Sequence, residues 1–198
     1  DFLYKNNSIK AIMKNDINDF KKILKASIGQ KFVIDSIKNN DIERKAPPPY
    51  TTSTLQQDIS SQCNISTKQV MNIAQKLYEE GCITYHRTDS LNLSLDFLKD
   101  CENYVNKIYG EKYSEIKNYK TKTSNAQEAH EAIRPTDLSR TSLTDDDIKN
   151  RVYILIWKRT VASQMSNHII NNIVITLKTD KYKERFVSNV EETIFDGF

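Results

Sequence analysis

Three consecutive prolines, in Ala46-Pro47-Pro48-Pro49-Tyr50, constrain the fold more than any other feature of this chain. Proline has no amide hydrogen and clashes with the preceding helical turn, so the run fits neither a helix interior nor a sheet ladder. Each proline also drives the residue before it into extended conformation. The chain must pass through a stiff break at 46–50, and its patterning changes there. Before the break, residues 31–45 (KFVIDSIKNNDIERK) read as a strand, with Phe32 and Ile34 on one face and Val33 and Ile37 on the other. After it come capped helical patterns. Residues 168–179 (HIINNIVITLKT) and 185–195 (RFVSNVEETIF) again alternate and are rich in β-branched side chains, a hairpin around residues 180–183. The expected class is α+β: a mainly helical part, 46–166, inserted between β-containing segments 1–45 and 167–198.

Asp16 is expected to cap a helix carrying Ile17, Phe20, Ile23 and Leu24 on one face, ended by Gly29. Thr52 or Ser53 caps a helix running to about Gln62. Ser66 caps a second one, with Val70, Ile73, Ala74 and Leu77 at helical spacing and Gly81 as its stop. Two short helices joined tightly suggest a helix-turn-helix or winged-helix layout. Residues 82–85 (CITY) follow as a short strand. Ser94 caps a helix closed by Gly110, residues 111–127 read as a polar surface loop, and 129–136 (AHEAIRPT) as a compact segment stopped by Pro135. Thr144 caps a long amphipathic helix with Asp147 at the capping-box position.

Composition narrows the class. Hydrophobic residues make up 38% and charged residues 28%, which excludes a disordered tail. No run of 18 apolar residues exists, so no membrane-spanning helix is expected. The chain opens Asp1-Phe2-Leu3-Tyr4 without Met or a secretory signal, and reads as a piece of a longer protein. The net charge of +3 is compatible with nucleic acid without requiring it. Cys63, Cys82 and Cys101 form no C-x-x-C pair; reduced thiols and no structural zinc site are expected.

Tyr85 raises the chemical question. A phenol with a pKa near ~10 is mostly protonated at neutral pH, so as a nucleophile it needs a positive charge, a metal field or a base. Arg87 lies two positions on, and in an extended chain i and i+2 share a face. A guanidinium grips two phosphate oxygens at once. The pair is consistent with attack on a phosphodiester; on spacing alone an ordinary half-buried aromatic beside an arginine is much the commoner cause. His130 sits beside Glu128, Glu131 and Arg134 and suits either a phosphate contact or a solvated loop. His86 and His168 read as structural or solvated. The acidic cluster at 144–148 fits helix capping better than a metal site, and no G-x-x-x-x-G-K-[ST] loop is present.

Four motifs decide between these readings: PYTTSTLQQDIS at 49–60, AQKLYEEGCITYHRTDS at 74–90, AQEAHEAIRPT at 126–136 and LIWKRTVASQM at 155–165. Together and in this order they resemble type IA DNA topoisomerases, in the bacterial topoisomerase I branch, with reverse gyrase a nearby relative. The resemblance implies that Tyr85 is the nucleophile forming a 5′-phosphotyrosyl bond with one DNA strand. It implies that Arg87 supports cleavage and positions the phosphate, and that His130 contacts the scissile phosphate region. Thr88, Asp89, Ser90 and Arg134 fall in motifs lining the same site, so Arg87, Thr88, Asp89, Ser90, His130 and Arg134 are the expected DNA contacts. Residues 46–166 would be the helical, tyrosine-bearing domain III of the family's toroid, flanked by segments of the β-rich gate domain II. The partners implied are single-stranded DNA, negatively supercoiled duplex, and the other core domains of the parent chain, in the cytoplasm at the nucleoid. The family's Mg²⁺ site belongs to its N-terminal TOPRIM domain and has no counterpart in this sequence. The fragment is therefore expected to bind no metal and to be catalytically incomplete alone. Position 86 is His where the family usually has an apolar residue, which puts a titratable group beside the nucleophile. A different class of protein, a non-covalent helix-turn-helix DNA-binding module, would rest on the helix pair at 53–80 with Lys68 and Lys76.

Overall fold

The computed structural model describes residues 2–4, 7–9, 12–13, 20–119, 130–143 and 147–198. The elements are β1 (Phe2–Tyr4), β2 (Asn7–Ile9), β3 (Ile12–Met13), α1 (Phe20–Ser27), β4 (Val33–Arg44), α2 (Thr52–Cys63), α3 (Thr67–Glu79), α4 (Leu95–Ile108), a 3₁₀ turn (Glu111–Tyr113), α5 (Asp147–Ser163), β5 (His168–Thr179) and β6 (Tyr182–Phe195). They divide into two compact units. One takes residues 1–44 and 168–196, the other 45–167 with 197–198.

The first unit is a four-stranded antiparallel sheet ordered β3-β6-β5-β4, with a separate β1–β2 pair. The hairpin read from the alternation is β5–β6, joined between Thr179 and Tyr182. Strand β4 precedes the prolines, yet it pairs along its length with β5, from Val33↔Lys178 to Arg44↔His168. The apolar residues expected on the two faces of β4 are little covered: Val33, Ile34 and Ile37 are all more than half exposed. Gly29, at φ +72°, turns the chain out of α1. Positions 16 and 17 of the expected α1 start lie outside the described residues.

The second unit is built around α5, whose Val152, Tyr153, Ile156, Trp157 and Val161 are buried. Helices α2 and α3 pack on each other and on α5 through Leu55, Ile59, Val70, Ala74 and Leu77, all fully buried. Each Leu, Ile or Val side chain so buried contributes about 1.5–3 kcal/mol. The proline run is fixed from α5: Arg159 Nε donates to Pro48 O at 2.7 Å, and its guanidinium lies 4.8 Å from the Tyr50 ring centroid. Tyr50 is buried and its hydroxyl donates to Asp58. Burial, then the Asp58 carboxylate, pushes the Tyr50 phenol well above its ordinary value.

Several local expectations change. The α2 cap is Thr51, one residue earlier than expected, in a capping box with Thr54. Ser66 and Ser94 do cap α3 and α4. Residues 82–85 are not a strand. They make a lone bridge, Ile83↔Pro135, held by Thr84 N–H to Arg134 O (2.9 Å) and Thr136 N–H to Cys82 O (3.1 Å). The two donors that would complete the ladder go elsewhere: Arg134 N–H to the Thr84 hydroxyl (3.0 Å) and Cys82 N–H to Leu77 O (2.8 Å). The polar surface loop expected from residue 111 opens with the 3₁₀ turn and is anchored over its described part. Glu115 N–H and Lys117 N–H donate to Gln164, and the Tyr119 hydroxyl donates to Ser163 O, so the segment satisfies the end of α5. Residues 120–127 and Thr144 lie outside the described residues, as does Glu128; α5 begins at Asp147. The three cysteines are free thiols. No helix among the described residues is long and apolar enough to cross a membrane.

Candidate nucleic-acid site

Helix α3 delivers the chain to Tyr85 through a glycine turn. Gly81 sits at φ +70°, a region that favours glycine. Its N–H donates to Tyr78 O at 2.9 Å and Cys82 N–H to Leu77 O at 2.8 Å, satisfying two terminal carbonyls. Beyond it, residues 85–90 alternate: Tyr85, Arg87 and Asp89 are exposed, while His86, Thr88 and Ser90 are buried. Period-2 alternation normally comes from a sheet. Here it comes from a staple made by the first residue of α2. The Thr52 hydroxyl accepts from Thr88 N–H (2.9 Å) and donates towards His86 O (2.9 Å) and Thr88 O (3.1 Å), and Thr52 N–H donates to Thr88 O (2.9 Å). Thr88 and Ser90 then hold the loop itself: Thr88 Oγ1 accepts from Ser90 N–H and Ser90 Oγ from Asn92 N–H, at 3.0 and 3.1 Å.

We expect Thr52→Val, which keeps the shape and deletes the hydroxyl, to strand the Thr88 N–H and the His86 carbonyl. Leaving a buried backbone group unpaired costs about 1–3 kcal/mol. Urea unfolding should show a lower midpoint for Thr52→Val than for Thr52→Ser; equal midpoints would argue against the staple.

Arg87, Thr88, Asp89 and His130 line one open groove of about 430 Å³ with Thr52, Ser53 and Gln56 from the start of α2. Helix α2 has no acidic residue in its first turn; its N-terminus, capped by Thr51, lies beside Arg87, with Asp89 the one acidic side chain of the groove. The groove is suited to a phosphate or another anion. Tyr85 is not among its lining residues; its ring is 47% exposed and rests edge-on against Tyr78, centroids 5.2 Å apart. Ser90 is buried behind the loop. Arg134 does not reach the groove. Its Nε and Nη2 bond Glu131 at 3.2 and 2.7 Å, Nη1 donates to Pro135 O, and the guanidinium stacks 4.2 Å from the Phe97 centroid. Glu131 in turn accepts from the N–H of Ser94, the cap of α4, at 2.6 Å. Burial alone would raise the Glu131 carboxyl, but the Arg134 and Ser94 hydrogen bonds outweigh it and hold it below its ordinary value. The pair ties segment 130–136 to the start of α4.

Thr52, Ser53 and Gln56 enter the groove from a stretch the sequence marks only as a helix start. Their signal is the pattern 49–60, which the resemblance includes without assigning them a role. The described residues do not fit a magnesium site. No group of three or more His, Cys, Asp or Glu side chains among them is placed to hold a metal ion, and Asp89 is the one carboxylate lining the groove.

The structure thus shows a helical unit with an exposed tyrosine and, from the next exposed residue, a groove lined by Arg87 and His130 that suits an anion. The sequence model described as DNA topoisomerase matches residues 3–198, and the chain belongs to that family, in its type IA branch. It is 39% identical over 204 aligned positions to DNA topoisomerase 1 of Rickettsia felis, covering 94% of this chain and 26% of that protein. It is 37% identical over 208 positions to the prokaryotic-type DNA topoisomerase 1 of Acanthamoeba polyphaga mimivirus, covering 98% and 24%. The structure of full-length topoisomerase I from Thermotoga maritima superposes with a TM-score of 0.79 at 31% identity, over 96% of this chain and 32% of that one. The chain thus spans about a quarter of the length of the curated relatives it matches.

Proposed function

We propose that this chain is the nucleophile-bearing portion of an enzyme that relaxes negatively supercoiled DNA without ATP. The reading has the second unit as the family's domain III, with a helix-turn-helix part in α2–α3, and the first unit as segments of gate domain II. Tyr85 Oη attacks a backbone phosphorus of one strand. The P–O bond to the 3′ oxygen breaks, a 5′-phosphotyrosyl ester forms, the phenol loses its proton and the leaving oxygen gains one. The other strand passes, and the 3′ hydroxyl attacks the ester to reseal. The ester conserves the energy of the broken bond, so no nucleotide is consumed. Arg87 and His130 hold the phosphate, with the α2 N-terminus behind them. Asp89 is placed to contact the same strand, Thr88 and Ser90 shape the loop, and Arg134 acts on the site through Glu131 and the position of His130. Magnesium and the proton donor for the leaving oxygen come from a TOPRIM domain outside this chain. The fragment alone is accordingly incomplete, and its working place is the nucleoid.

One observation carries this reading: the alternation at 85–90 that exposes Tyr85 and Arg87 together while Arg87, Asp89 and His130 share the groove. The test is trapping. Full-length protein with Mg²⁺ and a labelled single-stranded oligonucleotide, denatured rapidly, should carry DNA on the peptide containing Tyr85. DNA on another side chain, or none from an active preparation, would overturn the reading; a non-covalent DNA-binding module gives none.

A further inference from the structure

His86 is buried at 4% exposure, and neither of its ring nitrogens has a hydrogen-bond partner in the protein. Buried polar atoms are ordinarily paired, so such a residue needs a reason. Its ring packs against two others. The Tyr85 and His86 centroids are 5.3 Å apart at 66°, Tyr78 and Tyr85 5.2 Å apart at 67°, and Tyr78 and His86 5.8 Å apart at 48°. Both contacts to Tyr85 are edge-to-face, the arrangement aromatic quadrupoles favour. Tyr85 is otherwise half exposed, so these rings are what fix its direction. Tyr78 comes from the last turn of α3, and the His86 carbonyl is pinned by Thr52 of α2. The three rings are therefore held by two helices.

We propose that Tyr78 and His86 form an aromatic seat that positions the Tyr85 phenol for attack, and that the seat holds only while His86 is neutral. The inference rests on Tyr85 being the nucleophile. An imidazolium with both nitrogens buried and unpartnered is far more costly than the neutral ring, so proton uptake drives His86 towards water and releases Tyr85. The charged groups around His86 are Arg87 on its own segment and Glu79 at the end of α3. Burial, then the Arg87 charge, lowers its proton affinity against a smaller opposing pull from Glu79. Its folded value therefore lies below the ordinary histidine value of about 6.5. The neutral seat is complete above that value and is lost as pH falls through the lower folded one.

The test uses the full-length protein, Mg²⁺ and a single-stranded oligonucleotide, reading the rate of adduct formation at saturating DNA and, separately, the Kd. Tyr78→Ala should slow adduct formation roughly 2- to 12-fold with unchanged Kd, the range expected for one aromatic pair. Tyr78→Phe should recover most of that loss. His86→Met fills the space without titrating; it should flatten the acid side of the pH–rate profile that the wild type shows. An acid limb identical in wild type and His86→Met, or a Tyr78→Ala rate equal to that of the wild type, would overturn the seat while the adduct still maps to Tyr85. An adduct mapping elsewhere removes the functional reading itself, and the seat with it.

Discussion

Tyr85→Phe in the full-length protein is expected to abolish covalent DNA capture and plasmid relaxation, a loss of at least about 10³-fold. The substitution keeps the ring, and with it the edge-on contacts to Tyr78 and His86. Only the oxygen that would bond to phosphorus disappears. The side chain is half exposed, so stability should move by less than about 0.5 kcal/mol. Binding of single-stranded DNA should stay near wild type, because the groove lined by Arg87 and His130 is untouched. Gel assays for nicking and relaxation, beside a binding titration, separate the two effects. Residual relaxation by a pure variant would transfer the nucleophile to another residue.

Arg87→Lys should be the second largest effect, and it isolates geometry from charge. Lysine keeps the positive charge but loses the planar fork that grips two phosphate oxygens. Arg87 has a groove position beside the α2 N-terminus, and in the proposed reaction it would be a donor aimed at the charge developing at phosphorus. Removing one such donor costs about 2.7–4 kcal/mol of transition-state stabilisation, or on the order of 10²–10³ in cleavage rate. Affinity should fall much less, and the salt dependence of binding should keep its slope because the number of charges is unchanged. Arg87→Ala should lower both rate and slope. If Arg87→Lys cleaves at the wild-type rate, Arg87 is an electrostatic neighbour and not the phosphate grip.

Local signals in this chain are strong where a few adjacent residues decide the outcome. Ser66 and Ser94 begin helices because their hydroxyls accept from the N–H groups three residues on. Gly81 ends α3 because only glycine takes its φ without strain. The β5–β6 hairpin forms as the pattern predicts, with register shifts between Ile169 and Ile170 and between Leu177 and Thr179, since its pairing is local to one turn. The same reasoning gave residues 82–85 a strand they do not have. Their β-branched and aromatic content is real, but the donors that would complete a ladder are taken: Arg134 N–H by the Thr84 hydroxyl and Cys82 N–H by the end of α3. It read 111–127 as a polar surface loop but could not show that residues 115–119 close the end of α5, nearly fifty positions later in sequence. At the site, Arg134, which the resemblance implies as a DNA contact, has its guanidinium on Glu131, three residues earlier, a partner that spacing alone does not choose.

The sequence by itself determined the break at the prolines, the α+β class, the capped helices and the pairing of Tyr85 with Arg87 on alternate positions. Those depend on dihedral limits and on spacing along the chain. Only the tertiary structure decided that β4 pairs with β5 across 120 or more residues, that Thr52 staples the segment after Tyr85, and that Arg87, Asp89 and His130 meet in one groove. Each of those is a contact between residues far apart in sequence, fixed by which buried faces fit together and which backbone groups remain to be satisfied, and no local pattern encodes either.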